Sequence, residues 1–123
     1  MTTAWAHLPN ARHIDAVLAD VKARPKKWRS AWDAARDAAL TAARDAAWDA
    51  AWGAAQRAAR TAAWGAARDA AWGAIAALIA WDSSADLLDC TPDVLRTMID
   101  LAEPPVCHQA ALLLPSAIVR FGQ

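Results

Sequence analysis

The chain has 123 residues, 57% of them hydrophobic, with 13 basic and 13 acidic side chains. This length suits one domain or one subunit of an oligomer, and a net charge of zero argues against the basic field typical of nucleic-acid-binding proteins. Alanine buries little area per residue, so we expect the eight tryptophans, at about 150–250 Å² each, to supply much of the core.

Charge is divided unevenly along the chain. Residues 1–31 hold six Lys and Arg against two Asp, whereas residues 82–123 hold two Arg against five Asp and one Glu. The two ends therefore carry opposite net charges and are expected to attract each other over about 8–10 Å, within one molecule or between neighbours.

The first predicted helix runs from about Ala11 to Arg24. Asn10 is a favourable residue for its N-cap, and Pro25 disfavours helix at the residue before it, which predicts a break. Apolar residues recur on one face of this segment with helical spacing, at Ile14, Val17, Leu18 and Val21.

A basic segment follows at this break. Four of its side chains are candidate contacts for an anion, namely Arg24, Lys26, Lys27 and Arg29. The alternative is a solvated hinge whose charges face the acidic C-terminal part of the chain. Because the whole chain is neutral, a nucleic acid is the less favoured partner.

From Trp32 to Ile75 the sequence consists of eleven tetrads in which the third and fourth residues are Ala in 21 of 22 cases. Alanine has the highest helix propensity and no proline interrupts the run, so the repeat predicts one long helix, with Gly53, Gly65 and Gly73 as sites of bends or close contacts. If it continues to Ala80, this helix is about 75–80 Å long.

The four-residue period makes the alanine ridge drift about 40° per repeat around the helix. A seven-residue coiled coil is excluded, and neighbours are expected on several sides, as for a central helix in a bundle or in a multi-chain assembly. On a continuous helix, Trp64 and Trp72 face the same side as Trp32, whereas Trp48 and Trp52 face the opposite side. These four tryptophans are therefore candidate partner-binding or ligand-binding anchors.

The C-terminal part, residues 82–123, is predicted to form a cap of shorter helices. Asp82-Ser-Ser84 signals a stop and restart, and Thr91 is a favourable N-cap with Pro92 at the first helical position. Val94, Leu95, Met98 and Ile99 would line one face of that helix, which ends near residues 103–105. A last helix from Val106 to Leu114 is expected to stop at Pro115 and to leave residues 116–121 as an apolar tail, helical or extended.

The tetrads, together with Ala-Ile-Ala-Ala-Leu-Ile-Ala-Trp-Asp82, the following Leu-Leu-Asp89 and the late Ala-Ala-Leu-Leu-Leu-Pro115, resemble short Ala/Trp-rich proteins encoded by bacteriophages and by prophage-carrying bacteria. The resemblance covers roughly residues 10–121. It implies a phage context and no defined activity.

Few residues are candidates for chemistry. His108 follows Cys107, but neighbours in a helix point to different sides, so a nucleophile–base pair is disfavoured and a structural or ligand-contacting histidine is expected. Asp82 with Ser83 and Ser84 would cap a helix or bind a ligand. His7 and His13 lack the spacing of a metal site, and we expect no metal and no cofactor.

These patterns predict an all-α protein with a single helical domain: an N-terminal helix (10–25), a tetrad-repeat helix (26–81) and the C-terminal cap, in a homo-oligomer. We expect a non-enzymatic, self-associating interaction protein that acts on a host protein or pathway. The alternatives are a binder of a small, nucleotide-like ligand between subunits and a weak nucleic-acid binder.

The start, Met1-Thr-Thr-Ala-Trp5, does not resemble a signal peptide, and no apolar stretch is long enough to span a membrane. These features predict a cytoplasmic protein with reduced Cys90 and Cys107.

Overall fold

The computed structural model describes residues 5–45, 71–103 and 105–121. No strand occurs within these ranges, and the predicted all-α class is confirmed. The described elements are α1 (Ala11–Ala23), α2 (Pro25–Asp45), α3 (Trp72–Ala80), a 3-10 helix (Asp82–Leu87), α4 (Pro92–Leu101) and α5 (Val106–Phe121).

The C-terminal helix α5 lies at the centre of the described fold. It packs against α2, α3 and α4, and its residues 109–115 and 117–119 are all buried. Because neighbours cover it on several sides, its apolar residues extend around the helix instead of forming one stripe. The sequence predicted that the tetrad-repeat helix would lie at the centre of the bundle; in the described fold, α5 lies there.

Pro115 lies inside α5 and does not end it, so the predicted stop at this residue is wrong, and residues 116–121 take the helical one of the two expected conformations. Proline in a helix interior costs about 3 kcal/mol, since it lacks an N–H and crowds the carbonyl four residues earlier. The helix beyond it buries Ile118 and Val119, and each such side chain contributes roughly 1.5–3 kcal/mol. Core burial therefore offsets the proline and carries α5 to Phe121.

The tetrad segment does not form one straight helix. A continuous helix would place Trp32 and Trp72 about 60 Å apart along its axis, but their rings meet edge to face with centroids 6.0 Å apart. Trp32 belongs to α2 and Trp72 to α3, so the two ends of the repeat lie against each other. A straight, unbroken repeat helix is therefore excluded, and Gly53 and Gly65, two of the predicted sites of bends or close contacts, lie outside the described residues.

The predicted break at Pro25 is confirmed and is very short. Helix α1 ends at Ala23 and α2 begins at Pro25, where the missing N–H has no cost at the first helical position. Arg24 alone separates the helices. Residues 25–29 therefore form the first turns of α2 and not an extended hinge.

Asn10 acts at a distance and not as a side-chain cap of α1. Its Nδ2 group donates to the carbonyl oxygens of Leu78 (2.9 Å), Trp81 (3.3 Å) and Asp82 (3.1 Å). The Leu78 carbonyl lies in the last turn of α3, where helical partners run out, and Trp81 and Asp82 follow at the start of the 3-10 helix. The buried Asn10 side chain thus fixes the segment before α1 to the end of α3.

The other helix boundaries follow local signals. Helix α3 ends at Ala80 and the 3-10 helix begins at Asp82, as the stop-and-restart signal predicted. The buried Gln109 on α5 donates from Nε2 to Ser83 Oγ (3.0 Å) and Ser84 Oγ (3.1 Å), which holds this 3-10 helix against the core. The predicted cap of α4 is also confirmed, since Thr91 Oγ1 accepts from the Val94 N–H at 3.3 Å.

Gly73 marks a close contact between α3 and α5. A Cβ atom at this position would lie 2.8 Å from the carbonyl oxygen of Leu112, a backbone atom that cannot rotate away. Interiors packed to this density transmit such overlaps as shifts of whole helices. The glycines were expected to mark either bends or close contacts, and Gly73 marks a close contact.

We expect Gly73→Ala to lower the free energy of unfolding by about 1–3 kcal/mol, because the added methyl group overpacks the contact with Leu112. Helix propensity alone would change stability by roughly 1 kcal/mol in the opposite direction. Urea unfolding followed by circular dichroism measures the difference. Ala34→Gly on the exposed side of α2 is the propensity control, and a stabilised Gly73→Ala protein would contradict the close contact.

Candidate ligand cleft and interaction surface

A cleft of about 300 Å³ opens between α1, α2 and α5. This volume lies at the lower end of the range for small-molecule sites. Its walls combine apolar side chains with cationic and hydroxyl groups from three helices and the turn after the 3-10 helix. The lining residues are His13, Ala16, Val17, Asp20, Arg24, Trp28, Leu88, Ser116 and Arg120.

Asp20 connects α1 to the start of α2 at one side of this cleft. Its Oδ1 accepts from Arg24 Nε (2.9 Å) and Nη2 (2.7 Å), and its Oδ2 accepts from the indole Nε1 of Trp28 at 2.7 Å. Trp28 is only 2% exposed, so this bond satisfies a buried donor. Both carboxylate oxygens of Asp20 are therefore occupied within the protein.

Arg120 brings a second guanidinium to the cleft from α5. Its Nη1 donates to the carbonyl oxygen of Leu88 at 3.2 Å, and its Nη2 lies 2.8 Å from Asp89 Oδ1. These contacts hold the guanidinium against the turn after the 3-10 helix. Because the last helix was expected to stop at Pro115, sequence analysis did not predict that Arg120 lines the same cleft as Arg24.

A second surface lies on α4 and at the start of α5. Val94 is 43% exposed, Leu101 79% and Val106 37%. Val94 and Leu101 are seven residues apart, so they share one side of α4, while Leu95 faces the core. Val94 was predicted to join the buried face and does not. We call Val94, Leu101 and Val106 the α4 surface.

Acidic side chains surround the α4 surface. Asp93, Asp100 and Glu103 are exposed, and Arg96 is the basic residue of α4, with its Nη1 at 3.4 Å from Asp93 Oδ1. The basic residues near the α1–α2 junction are exposed in their turn, at Lys22, Lys26, Lys27 and Arg29. None of these four forms an ion pair with another described residue. Within the described parts of the chain, these four side chains therefore show no sign of the predicted attraction between its basic and acidic ends.

The structure separates the site residues predicted from sequence. Trp48, Trp52 and Trp64 lie outside the described residues. Trp72 is half-buried against the core and Trp32, which makes it a packing residue. Of the basic set, Arg24 lines the cleft, whereas Lys26, Lys27 and Arg29 do not.

Neither Asp82 nor His108 lines the cleft. Asp82 is exposed in the first turn of the 3-10 helix, and its carbonyl accepts from Asn10. His108 is half-buried in α5 beside Cys107, and Cys90 and Cys107 are both free, half-buried thiols. Sequence analysis did not predict that His13, Ser116 and Arg120 line the cleft. The four-residue spacing of Asp20 and Arg24, which is typical of an ion pair on a helix, was a signal that could have pointed to one side of it.

Among the residues that the structure describes, no three His, Cys, Asp or Glu side chains are grouped to hold a metal ion. None of the described helices combines the length and apolarity needed to cross a bilayer.

Comparison with protein-family models, with curated proteins and with solved structures found no match to this chain. The resemblance to phage-encoded Ala/Trp-rich proteins therefore stays a prediction from sequence.

We expect Asp20→Ala to lower the free energy of unfolding by about 1–3 kcal/mol, because the buried Trp28 indole N–H loses its acceptor. Asp20→Asn keeps an acceptor oxygen and loses only the pairing with a partly exposed Arg24, worth about 0.2–1 kcal/mol. Urea unfolding of both variants distinguishes these two terms. Equal losses would show that the Trp28 bond does not stabilise the junction.

Proposed function

We propose that this chain is a non-enzymatic interaction protein that self-associates head to tail through the α4 surface. The observation that carries the proposal is the exposure of Leu101, with Val94 and Val106, beside a well-packed core. Burying a large aliphatic side chain contributes roughly 1.5–3 kcal/mol. A neighbouring molecule that covers this surface therefore gains free energy that the isolated chain leaves unused.

Charge complementarity supports a second copy as that neighbour. The α4 surface is bordered by Asp93, Asp100 and Glu103, whereas the α1–α2 junction presents Lys22, Lys26, Lys27 and Arg29, which form no ion pair with another described residue. Opposite patches on the same molecule suit a contact in which the acidic side of one copy meets the basic side of the next. Since two different surfaces meet, such contacts close into rings or extend as chains.

The cellular setting is a further part of the proposal. Resemblance to phage-encoded Ala/Trp-rich proteins supports action in a bacterial cytoplasm, with a host protein bound by the assembled form. An assembly presents each contact many times, which raises its effective affinity for a partner without new contacts.

We expect Leu101→Ser to weaken self-association about tenfold, because the variant removes most of the apolar area that the contact buries. Sedimentation equilibrium over a range of protein concentrations measures the change. Ala34→Ser, at an exposed position of α2, is the matched control and should associate as the parent does. A parent protein that stays monomeric at about 100 μM, where contacts of roughly 5 kcal/mol are populated, would contradict the proposal.

A charge exchange tests the head-to-tail pairing itself. Asp100→Lys with Glu103→Lys makes both patches basic, and Lys26→Glu with Lys27→Glu reduces the four positive charges at the α1–α2 junction to a net charge of zero, so each variant alone should associate less than the parent. An equimolar mixture should regain association, and added salt should weaken it. If the mixture behaves as the sum of its parts, the two patches do not meet.

A further inference from the structure

The cleft between α1, α2 and α5 holds hydrogen-bond donors that the fold does not consume. Arg24 uses two of its five N–H groups on Asp20, and Arg120 uses two on Leu88 and Asp89. Within the described parts of the chain, three N–H groups remain on each guanidinium. Ser116 and His13, both half-buried, add a hydroxyl and an imidazole to the same cleft.

Donors of this kind suit an oxyanion. A planar guanidinium presents parallel N–H groups that bind two oxygens of a phosphate or carboxylate at once, and such charge-assisted bonds are stronger than neutral ones. The carboxylate of Asp20 opposes an anion less than its charge suggests, because Arg24 and Trp28 already occupy its two oxygens.

The remaining walls of the cleft are apolar. Ala16, Val17 and Leu88 line it beside the ring of Trp28. A free inorganic ion has no group to place against them, whereas an organic molecule that carries one oxyanion does. The volume of about 300 Å³ limits this molecule to a small one.

We propose that this cleft binds a small organic phosphate, with the phosphoryl group between Arg24 and Arg120 and the organic part against the apolar wall. The site is formed within one chain, so it does not require the inter-subunit pocket expected from sequence. The α4 surface contributes no residue to the cleft, whereas the basic patch at the α1–α2 junction flanks Arg24 in the chain.

Isothermal titration calorimetry at low ionic strength tests the proposal with phenyl phosphate and inorganic phosphate as probes. Phenyl phosphate should bind one site per chain, about tenfold more tightly than inorganic phosphate, because its ring covers apolar wall. Sulfate should compete with it. Equal affinities for the two phosphates would overturn the organic part of the proposal, and the absence of saturable binding by either would overturn the whole.

Variants locate the site. Arg24→Gln and Arg120→Gln should each lower the affinity for phenyl phosphate about tenfold, the usual effect of one charge-assisted contact. Arg36→Gln removes an equal charge from exposed α2 outside the cleft and should leave affinity unchanged. If Arg36→Gln weakens binding as much as Arg24→Gln, the anion responds to general charge and the site is wrong.

Asp20→Asn provides a test in the opposite direction. It removes the negative charge of the cleft while keeping an acceptor for Trp28, so affinity for phenyl phosphate should rise several-fold. Loss of affinity in this folded variant would contradict a phosphoryl group beside Arg24. Thermal melting of each variant shows whether the fold is retained. If Arg24→Gln unfolds, Arg24→Lys replaces it.

Discussion

The backbones of α3 and α5 lie in contact at Gly73 and Leu112, and the rest of the packing depends on this approach. A side chain at residue 73 would separate the two helices and would move α5 relative to α2 and α4, which pack on it as well. The neighbouring alanines of α3 and α5 serve the same purpose, since residues 74, 76, 77, 110 and 111 are all at most 2% exposed. Small side chains contribute little area each, but they let the larger ones of α5 reach several helices.

Local signals in the sequence predicted local structure well. The helix break at Pro25, the restart at Asp82 and the cap at Thr91 each depend on residues within one turn of the boundary, and each is confirmed. Predictions that depended on distant contacts were less successful. Pro115 breaks a helix in isolation, but burial of Ile118 and Val119 against other elements outweighs its effect.

The tetrad repeat shows the same distinction. Its composition predicts helix correctly for both described ends, yet nothing in a repeat of similar units predicts that these two ends lie against each other. The contact of Trp32 with Trp72 is a property of the folded molecule. The cleft was predictable only in part. The basic segment indicated Arg24 as an anion contact, whereas Arg120 and Ser116 line the cleft only because α5 continues past Pro115.

The bonds of Asn10 have a consequence for how the protein folds during synthesis. Its side chain meets a carbonyl 68 positions later in the chain, and the central α5 is made later still. On a ribosome that adds about 5–20 residues per second, α1 and α2 therefore wait several seconds before their principal partners emerge. During that interval their apolar faces are open to chaperones and to other nascent chains, so the order of synthesis leaves the earliest helices unprotected for longest.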